Sequence, residues 1–242
     1  MSSDGLTRFG TQQLVDVVME DCVLLEHSDF FFPDGLDESN RERILNVCDD
    51  ILTSEERRKT ASRYRHAMAE LLSGYSYDDS LIERGVFEFP DGDVDPDEDL
   101  WGADAESFSR NSLVSVIGIE YTSVCQHHLM PFTGVINVAY LPSGGRVIGL
   151  SKIARIVWKY SRRLQFQERI TKQVASYLGN VVQSPDVGAV SEAVHSCVSC
   201  RGVKQMRSST VTSCLLGEIR SNPVYQRVLF EGISGKKEMS ND

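Results

Sequence analysis

The sequence predicts an α+β fold whose core runs in the order β-β-α-α-β-β. Short stretches rich in β-branched residues are typical of strands. Longer stretches with apolar residues three and four positions apart are typical of helices that lie on a sheet. The composition, with 41% hydrophobic and 25% charged residues in a chain of 242, fits an ordinary globular protein with a full core.

Three regions are expected along the chain. Residues 1–40 form a variable N-terminal extension, because proline and glycine interrupt any periodic pattern there. Residues 41–110 hold N-terminal helices and an acidic insertion loop, in which residues 91–99 concentrate carboxylates among proline and glycine. Residues 111–242 form the domain that carries the predicted core.

Two helices are predicted in the N-terminal part, over 42–52 and 54–73. Ser54 can cap the second helix, acidic residues follow in its first turn, and Gly74 supplies the stop. One face of this helix is expected to be buried, and it carries Tyr64, Met68, Leu71 and Leu72.

The remaining segments make up the predicted core. The elements are strands over 114–121 and 134–142, helices over 151–163 and 165–178, strands over 187–198 and 209–218, and a short helical tail from Pro223. The first two strands flank a turn, so they are expected to pair. Each helix should lay one apolar stripe on the sheet. These stripes comprise Ile153, Ile156, Val157 and Tyr160, then Phe166, Ile170, Val174 and Tyr177.

Charge and hydropathy argue against several classes of protein. The formal net charge of −10 does not suit a surface for nucleic acid, which is usually basic. The chain has no apolar run of the length that spans a membrane. The N-terminus MSSDGLTRFG lacks the basic and apolar segments of a signal peptide. A cytoplasmic protein that binds neither nucleic acid nor membrane is expected.

Cysteine and histidine spacing predicts a metal site. The six cysteines are thinly spread, which favours reduced thiols over a disulfide framework. Cys125 and His128 form a C-x-x-H turn, and His195 and Cys197 lie two apart on a predicted strand, where side chains share a face. Ligation by Cys125, His128 and Cys197 would leave the fourth position of a catalytic zinc to water. His127 and His195 would then lie beside it as general acid and base.

Two other interpretations of these residues stay open. A buried free cysteine behaves as a small hydrophobe, so the C-x-x-H spacing by itself is weak evidence for a metal. Cys200 could also supply a fourth ligand, which would make the site closed and structural rather than catalytic.

A second group of residues suggests an anion site. Ser151, Lys152 and Arg155 open a predicted helix, where exposed N–H groups and the positive dipole end favour an anion. Arg201 and Arg63 could add positive charge for a triphosphate. The alternative is that these charges form only the solvated faces of amphipathic helices.

The pair Gln167 and Glu168 suggests a binding site for a nucleobase. A carboxylate accepts two hydrogen bonds side by side, which matches the N1–H and 2-amino edge of guanine. A glutamate on a helix is otherwise most often an ordinary surface residue.

Five ordered segments resemble one known family over residues 111–220. They are CQHHLMPF, IGLSKIARIV, YSRRLQFQERITKQ, AVHSCVSCRGV and TVTSCLLG, with a weaker match in the helix TASRYRHAMAELLSGY. The chain resembles GTP cyclohydrolase I. The resemblance implies a tunnelling fold, in which the antiparallel sheets of several subunits close into an oligomeric barrel. It also implies a homodecamer of two stacked pentamers, with active sites between subunits.

The resemblance also implies a role for each matching residue. Zinc ligands fall on Cys125, His128 and Cys197, proton transfer on His127 and His195, and guanine binding on Glu168. Contacts to the base and sugar fall on Gln167 and Ser151, and contacts to the triphosphate fall on Lys152, Arg155, Arg201 and Arg63, the last from a neighbouring subunit. The implied reaction opens GTP at C8 of guanine and gives formate and 7,8-dihydroneopterin triphosphate, the first step of pterin and folate biosynthesis. It needs Zn²⁺ but no redox cofactor, and a feedback regulatory protein is a possible partner.

Three features depart from the family pattern. Gln126 stands where members usually carry glutamate, Ala61 follows Thr60 in place of proline, and the acidic stretch 91–99 has no counterpart. Gln126 motivates a catalytically silent or attenuated partner subunit as an alternative function. A structural zinc module and a related tunnelling-fold enzyme acting on another purine or pterin are further alternatives.

Overall fold

The computed structural model describes residues 54–88 and 112–234. The chain divides into two compact units, of which one ends at Ser76 and the other begins at Tyr77. The predicted N-terminal extension, the helix over 42–52 and the acidic stretch 91–99 lie outside the described residues. Among the helices that are described, none has both the length and the apolar character to cross a membrane.

The first unit contains the predicted helix, α1, over Ser54–Leu71. A single 3₁₀ turn, Ser73–Ser76, follows it and includes Gly74, so the predicted stop is confirmed within a few residues. Met68 and Leu72 are buried, as expected. Tyr64 is 39% exposed, so the prediction that it belongs to the buried face was wrong.

The second unit contains all the strands that are described. Its elements are α2 (Ser80–Glu83), β1 (Val86–Glu88), β2 (Val114–Cys125), β3 (Pro131–Tyr140), β4 (Arg146–Ile148), α3 (Leu150–Ser161), β5 (Leu164–Gln165), α4 (Gln167–Val182), β6 (Val187–His195), α5 (Ser196–Ser199), β7 (Thr210–Leu215), α6 (Gly217–Ser221) and α7 (Pro223–Ser234). The predicted core order and the helical tail are confirmed. The short β1, β4, β5, α2, α5 and α6 were not predicted, because elements of a few residues carry no measurable periodicity.

A five-stranded sheet in the order β5-β2-β3-β6-β7 forms the centre of this unit, and β1 pairs separately with β4. The four long strands are antiparallel neighbours, and only β5 pairs in parallel, with β2. The predicted pairing of the first two strands is therefore confirmed. The arrangement is an α+β fold, as the sequence predicted.

Helices cover both faces of the sheet. On one face α3 and α4 bury the predicted stripes against alternate residues of β3 and β6 in the main core. Only Tyr160, Tyr177 and the helix-capping Phe166 remain partly exposed. On the other face Leu229 of α7 and Ile219 of α6 pack against Ala139 and Val190. The sheet is thus held rigidly between two layers, and its end can position side chains for chemistry.

One strand boundary differs from the prediction in a way that matters for the site. β6 ends at His195, and Cys197 lies on the single-turn helix α5, so the two residues do not share a strand as predicted. Pairing with β3 stops here, because His195 lies opposite Phe132 and the next residue of β3 is Pro131, which has no N–H to donate. The backbone satisfies itself locally instead, with the N–H of Cys200 donating to the carbonyl of Ser196 at 3.0 Å.

Candidate metal centre and active site

Several chain segments meet at one end of the sheet. β2 ends at Cys125, β6 ends at His195, and β5 places the backbone of Gln165 beside Cys125. The start of α4 therefore lies next to the turn that follows β2. That turn is held by its own backbone, since the N–H of Cys125 donates to the carbonyl of Met130 at 2.9 Å.

Two thiols and an imidazole converge at this end. The ligand atoms of Cys125, His195 and Cys197 all lie within 4.8 Å of one another. Cys125 is buried, and the other two residues are partly buried. His128 lies at the margin of this group, with its Nδ1 3.8 Å from the Cys125 Sγ. The structure thus brings the two predicted cysteine ligands together, with His195 close to both and His128 beside Cys125.

The donor set and its spacing suit zinc. Thiolate and imidazole are the ligands that structural and catalytic zinc sites use, and a tetrahedral ion holds sulfur and nitrogen about 3.6 Å apart. The 3.8 Å between Cys125 Sγ and His128 Nδ1 is close to that value. All four cysteines among the described residues are free, and Cys200 is exposed and outside the cluster. This placement does not favour a closed site with Cys200 as the fourth ligand.

The electrostatics of the cluster place two further predicted residues near it. Burial lowers the pKa of His195, and the carboxylate of Glu168 raises it. Burial raises the pKa of the Cys197 thiol, as does the neighbouring Cys125, while Arg201 lowers it. Glu168 and Arg201 therefore lie within electrostatic range of the cluster. Metal binding here would release thiol protons.

The turn that carries Gln126 and His127 packs against Phe166 and Arg169, a contact that sequence reasoning missed. The His127 ring packs edge-on against the Phe166 ring, with centroids 4.6 Å apart, and the Arg169 guanidinium lies 4.7 Å from the centre of the Phe166 ring. The Arg169 Nη1 donates to the Gln126 Oε1 at 2.9 Å. The i,i+3 spacing of Phe166 and Arg169 indicates that their side chains are neighbours on a helix. Their contact with the turn after β2 depends on tertiary structure, which the spacing does not predict.

Gln167 is more deeply buried than expected for the predicted contact with the base and sugar of a substrate. The residue is 1% exposed, and its Nε2 donates to the backbone carbonyls of Ser191 and Thr210. Its Oε1 faces the His195 Nε2 at 2.9 Å. The Ser191 hydroxyl bonds Tyr121, and burial raises the pKa of that phenol to about 12. Gln167 thus belongs to a neutral, buried network behind His195.

The predicted cationic group gathers on the first turns of α3. Ser151 and Arg155 are exposed and Lys152 is partly buried. The Arg155 Nη1 donates to the Tyr77 hydroxyl at 3.4 Å. Arg63 is exposed on α1, in the other compact unit. Among the described residues, no hydrogen bond or ion pair joins the α3 group to the cysteine cluster.

Gly85 fixes the path of the Lys152 side chain. A Cβ built on Gly85 would lie only 2.4 Å from the Lys152 Cγ and 2.5 Å from its Cε. The Gly85 carbonyl also accepts the N–H of Gly149, immediately before α3, at 2.8 Å. The aliphatic part of the Lys152 side chain therefore passes over Gly85 in space that the Cβ of any other residue would occupy. Sequence reasoning could not find this contact, because the two residues are far apart along the chain.

Comparison with known proteins identifies the family. A sequence-family model for GTP cyclohydrolase I matches residues 38–234. A GTP cyclohydrolase 1 of Campylobacter curvus is 39% identical over 201 residues, which cover 83% of this chain and 96% of that protein. One of Hyperthermus butylicus is 44% identical over 72% of this chain and 78% of its own length. One of Saccharomyces cerevisiae is 37% identical over 80% of this chain and 76% of its own. The chain therefore belongs to the GTP cyclohydrolase I family of enzymes.

Proposed function

We propose that this enzyme converts GTP and water into 7,8-dihydroneopterin triphosphate and formate. Water adds at C8 of guanine and opens the ring to a formamide, and a second water releases C8 as formate. The opened ribose then rearranges and condenses with the freed amine, which returns one water, so that one water is consumed overall. The observation that carries the proposal is the convergence of Cys125, His195 and Cys197 within 4.8 Å in a chain of this family. The product would begin pterin and folate biosynthesis.

A zinc ion would be held by Cys125, His128 and Cys197. When bound, zinc lowers the pKa of a coordinated water and polarises a carbonyl, which is the chemistry that hydrolysis at C8 and release of formate require. The thiols belong to two different elements, the end of β2 and the helix α5, both anchored to the sheet. The ligand positions are thus supported by the rigid part of the fold.

His127 and His195 would move the protons. One imidazole donates a proton to N7 of guanine as C8 is attacked, and a second accepts and returns protons during the rearrangement of the sugar. The His195 ring is fixed by stacking on Phe132, with centroids 4.3 Å apart and planes within 10°. His127 is exposed and packs against Phe166, so it faces the side from which a substrate can approach.

The substrate would span the two residue groups. Glu168 would accept the N1–H and 2-amino group of guanine, while Lys152, Arg155 and Arg201 would bind the triphosphate and Ser151 the sugar region. Arg63 would complete the pocket of a neighbouring subunit. We place this pocket in a decameric tunnelling-fold barrel; β7, whose Val211 is 51% exposed, lies at a sheet edge where another subunit could pair.

The direct test is to supply the zinc-loaded full-length chain with GTP. Formate release and the absorbance of the dihydropterin should rise together, one formate for each pterin. Tight GTP binding without either product would contradict the proposed reaction. Sedimentation velocity of the same sample tests the decamer independently.

Gly85→Ala is expected to weaken GTP binding by displacing Lys152. The new Cβ would meet the lysine stem at 2.4 Å, which forces the side chain from its path. A lost hydrogen bond to a charged group costs about 1.5–3 kcal/mol, so the KM for GTP should rise about tenfold or more. Steady-state kinetics check this, with zinc content expected to be unchanged.

Gly149→Ala is the matched control for that variant. Its Cβ would contact the same lysine only at an ordinary 3.7 Å. An unchanged KM in Gly85→Ala, or an equal rise in Gly149→Ala, would show that the path of Lys152 does not set triphosphate binding.

The second candidate function is a silent partner subunit, motivated by Gln126. Its Oε1 accepts a hydrogen bond from Arg169 at 2.9 Å, a contact that the glutamate usual in the family could also make. The exchange converts an exposed ion pair, worth about 0.2–1 kcal/mol, into a hydrogen bond from the charged guanidinium to a neutral amide. This contact favours the active enzyme over the silent subunit.

Gln126→Glu is therefore expected to change kcat only slightly, by less than about threefold. The carboxylate keeps Arg169 in place and adds an ion pair of about 0.2–1 kcal/mol. The measurement is kcat for wild type and variant at equal zinc content. A wild type without turnover whose activity appears in Gln126→Glu would establish the silent subunit instead.

A further inference from the structure

The orientation of the Gln167 side chain is decided by its partners. Its Nε2 lies 3.1 Å from the carbonyl oxygen of Ser191 and 2.8 Å from that of Thr210. Backbone carbonyls only accept hydrogen bonds, so the group facing them must be the amide NH₂. Turning the amide over would set its oxygen against two oxygens at a site that is 1% exposed. The Gln167 Oε1 is therefore the atom that faces His195.

This orientation determines the proton on His195. The Gln167 Oε1 lies 2.9 Å from the His195 Nε2, and an amide oxygen can only accept. The His195 Nε2 must then carry the hydrogen. A neutral imidazole has a single ring N–H, so its Nδ1 carries the lone pair.

We propose that Gln167 is a positioning residue that fixes His195 in the Nε2–H tautomer and leaves Nδ1 as its reactive nitrogen. The role differs from the predicted contact between Gln167 and the base and sugar, because both amide hydrogens are committed to the protein. Two contacts hold the imidazole: Phe132 stacks on its face at 4.3 Å, and Gln167 prevents its rotation within the plane. Proton exchange with the substrate, or donation to a metal, must therefore use Nδ1.

The support behind Gln167 comes from two neighbouring strands. Ser191 lies on β6 and Thr210 begins β7, so the amide bridges both strands while its backbone starts α4. Outer hydrogen bonds of this kind orient a reactive histidine, and their loss typically costs about 10–100-fold in activity or metal affinity. The inference rests on the proposed function only for the use that is made of His195. The tautomer follows from hydrogen bonding alone.

The test is magic-angle-spinning ¹⁵N NMR of the sedimented full-length protein labelled in its histidines. The chain has five histidines, and comparison with His195→Gln identifies the His195 signals. We expect the wild type to show a protonated Nε2 at His195 and an Nδ1 without hydrogen. A protonated Nδ1 with a bare Nε2 would overturn the proposal. This result needs neither turnover nor a change at Gln167, so it remains decisive if the proposed reaction fails or if Gln167→Met does not fold.

A Gln167→Met variant tests the cause, because methionine has similar length but no hydrogen-bonding amide. We expect loss of the single Nε2–H signal and a fall in kcat of about tenfold or more, with KM for GTP within about threefold. Gln165→Met is the matched control, since Gln165 is an equally buried glutamine whose Nε2 donates to Tyr160 and Gln173 instead. An unchanged His195 signal in Gln167→Met, or a raised KM with kcat kept, would overturn the positioning role.

Discussion

Replacing Cys197 by serine is expected to abolish turnover of GTP and binding of zinc together. A hydroxyl is a poor zinc ligand compared with a thiolate, and only Cys125 and His128 would remain of the three proposed ligands. Loss of an outer partner already costs about 10–100-fold, so loss of a ligand should lower kcat/KM by more than about a hundredfold. Zinc per chain by mass spectrometry and formate release are measured on the same sample.

Cys200→Ser provides the control for this result. Cys200 lies three positions further along, is exposed and is outside the cluster that contains Cys197. We expect this variant to keep full zinc content and full activity. Loss of zinc in both variants would point to a closed site with Cys200 as a ligand, and an active Cys197→Ser enzyme would remove Cys197 from the metal centre.

Periodicity was enough to predict the elements that frame this site. The helices α3 and α4 bury the apolar stripes that their 3.6-residue period indicated. β2 and β3 pair across the turn between them, as a short connection requires. These features could be predicted because each depends on residues close together in the sequence.

Contacts between distant residues could not be predicted in the same way. Gln167 bonds Ser191 and Thr210, which lie 24 and 43 residues away, and no local pattern encodes that register. The end of β6 at His195 depends on Pro131 of the neighbouring strand, so the strand was predicted too long. The convergence of the cysteines was nevertheless expected, although α5 rather than a shared strand face brings Cys197 to the site.

Glu168→Gln is expected to remove the preference of the enzyme for the guanine edge. The carboxylate is exposed in the first turn of α4, within electrostatic range of His195, and makes no hydrogen bond or ion pair with any side chain that the structure describes. Two oxygens can accept the N1–H and the 2-amino group, whereas an amide would set its NH₂ against one of these donors. A lost hydrogen bond to a charged group costs about 1.5–3 kcal/mol. Because the NH₂ of the new amide would also face a donor of guanine without a partner, kcat/KM for GTP should fall at least about a hundredfold.

Inosine triphosphate sharpens this test, because it differs from GTP only by the missing 2-amino group. If Glu168 accepts a hydrogen bond from the 2-amino group, the wild type should strongly prefer GTP to inosine triphosphate. The Glu168→Gln enzyme should use both nucleotides poorly and nearly equally. Glu231→Gln, which alters an exposed glutamate on α7, should keep the wild-type preference. Zinc content should be the same in all three proteins, since Glu168 is not a ligand. A Glu168→Gln enzyme that still prefers GTP to the wild-type degree would place guanine recognition on other residues. The carboxylate would then act only through its charge beside His195.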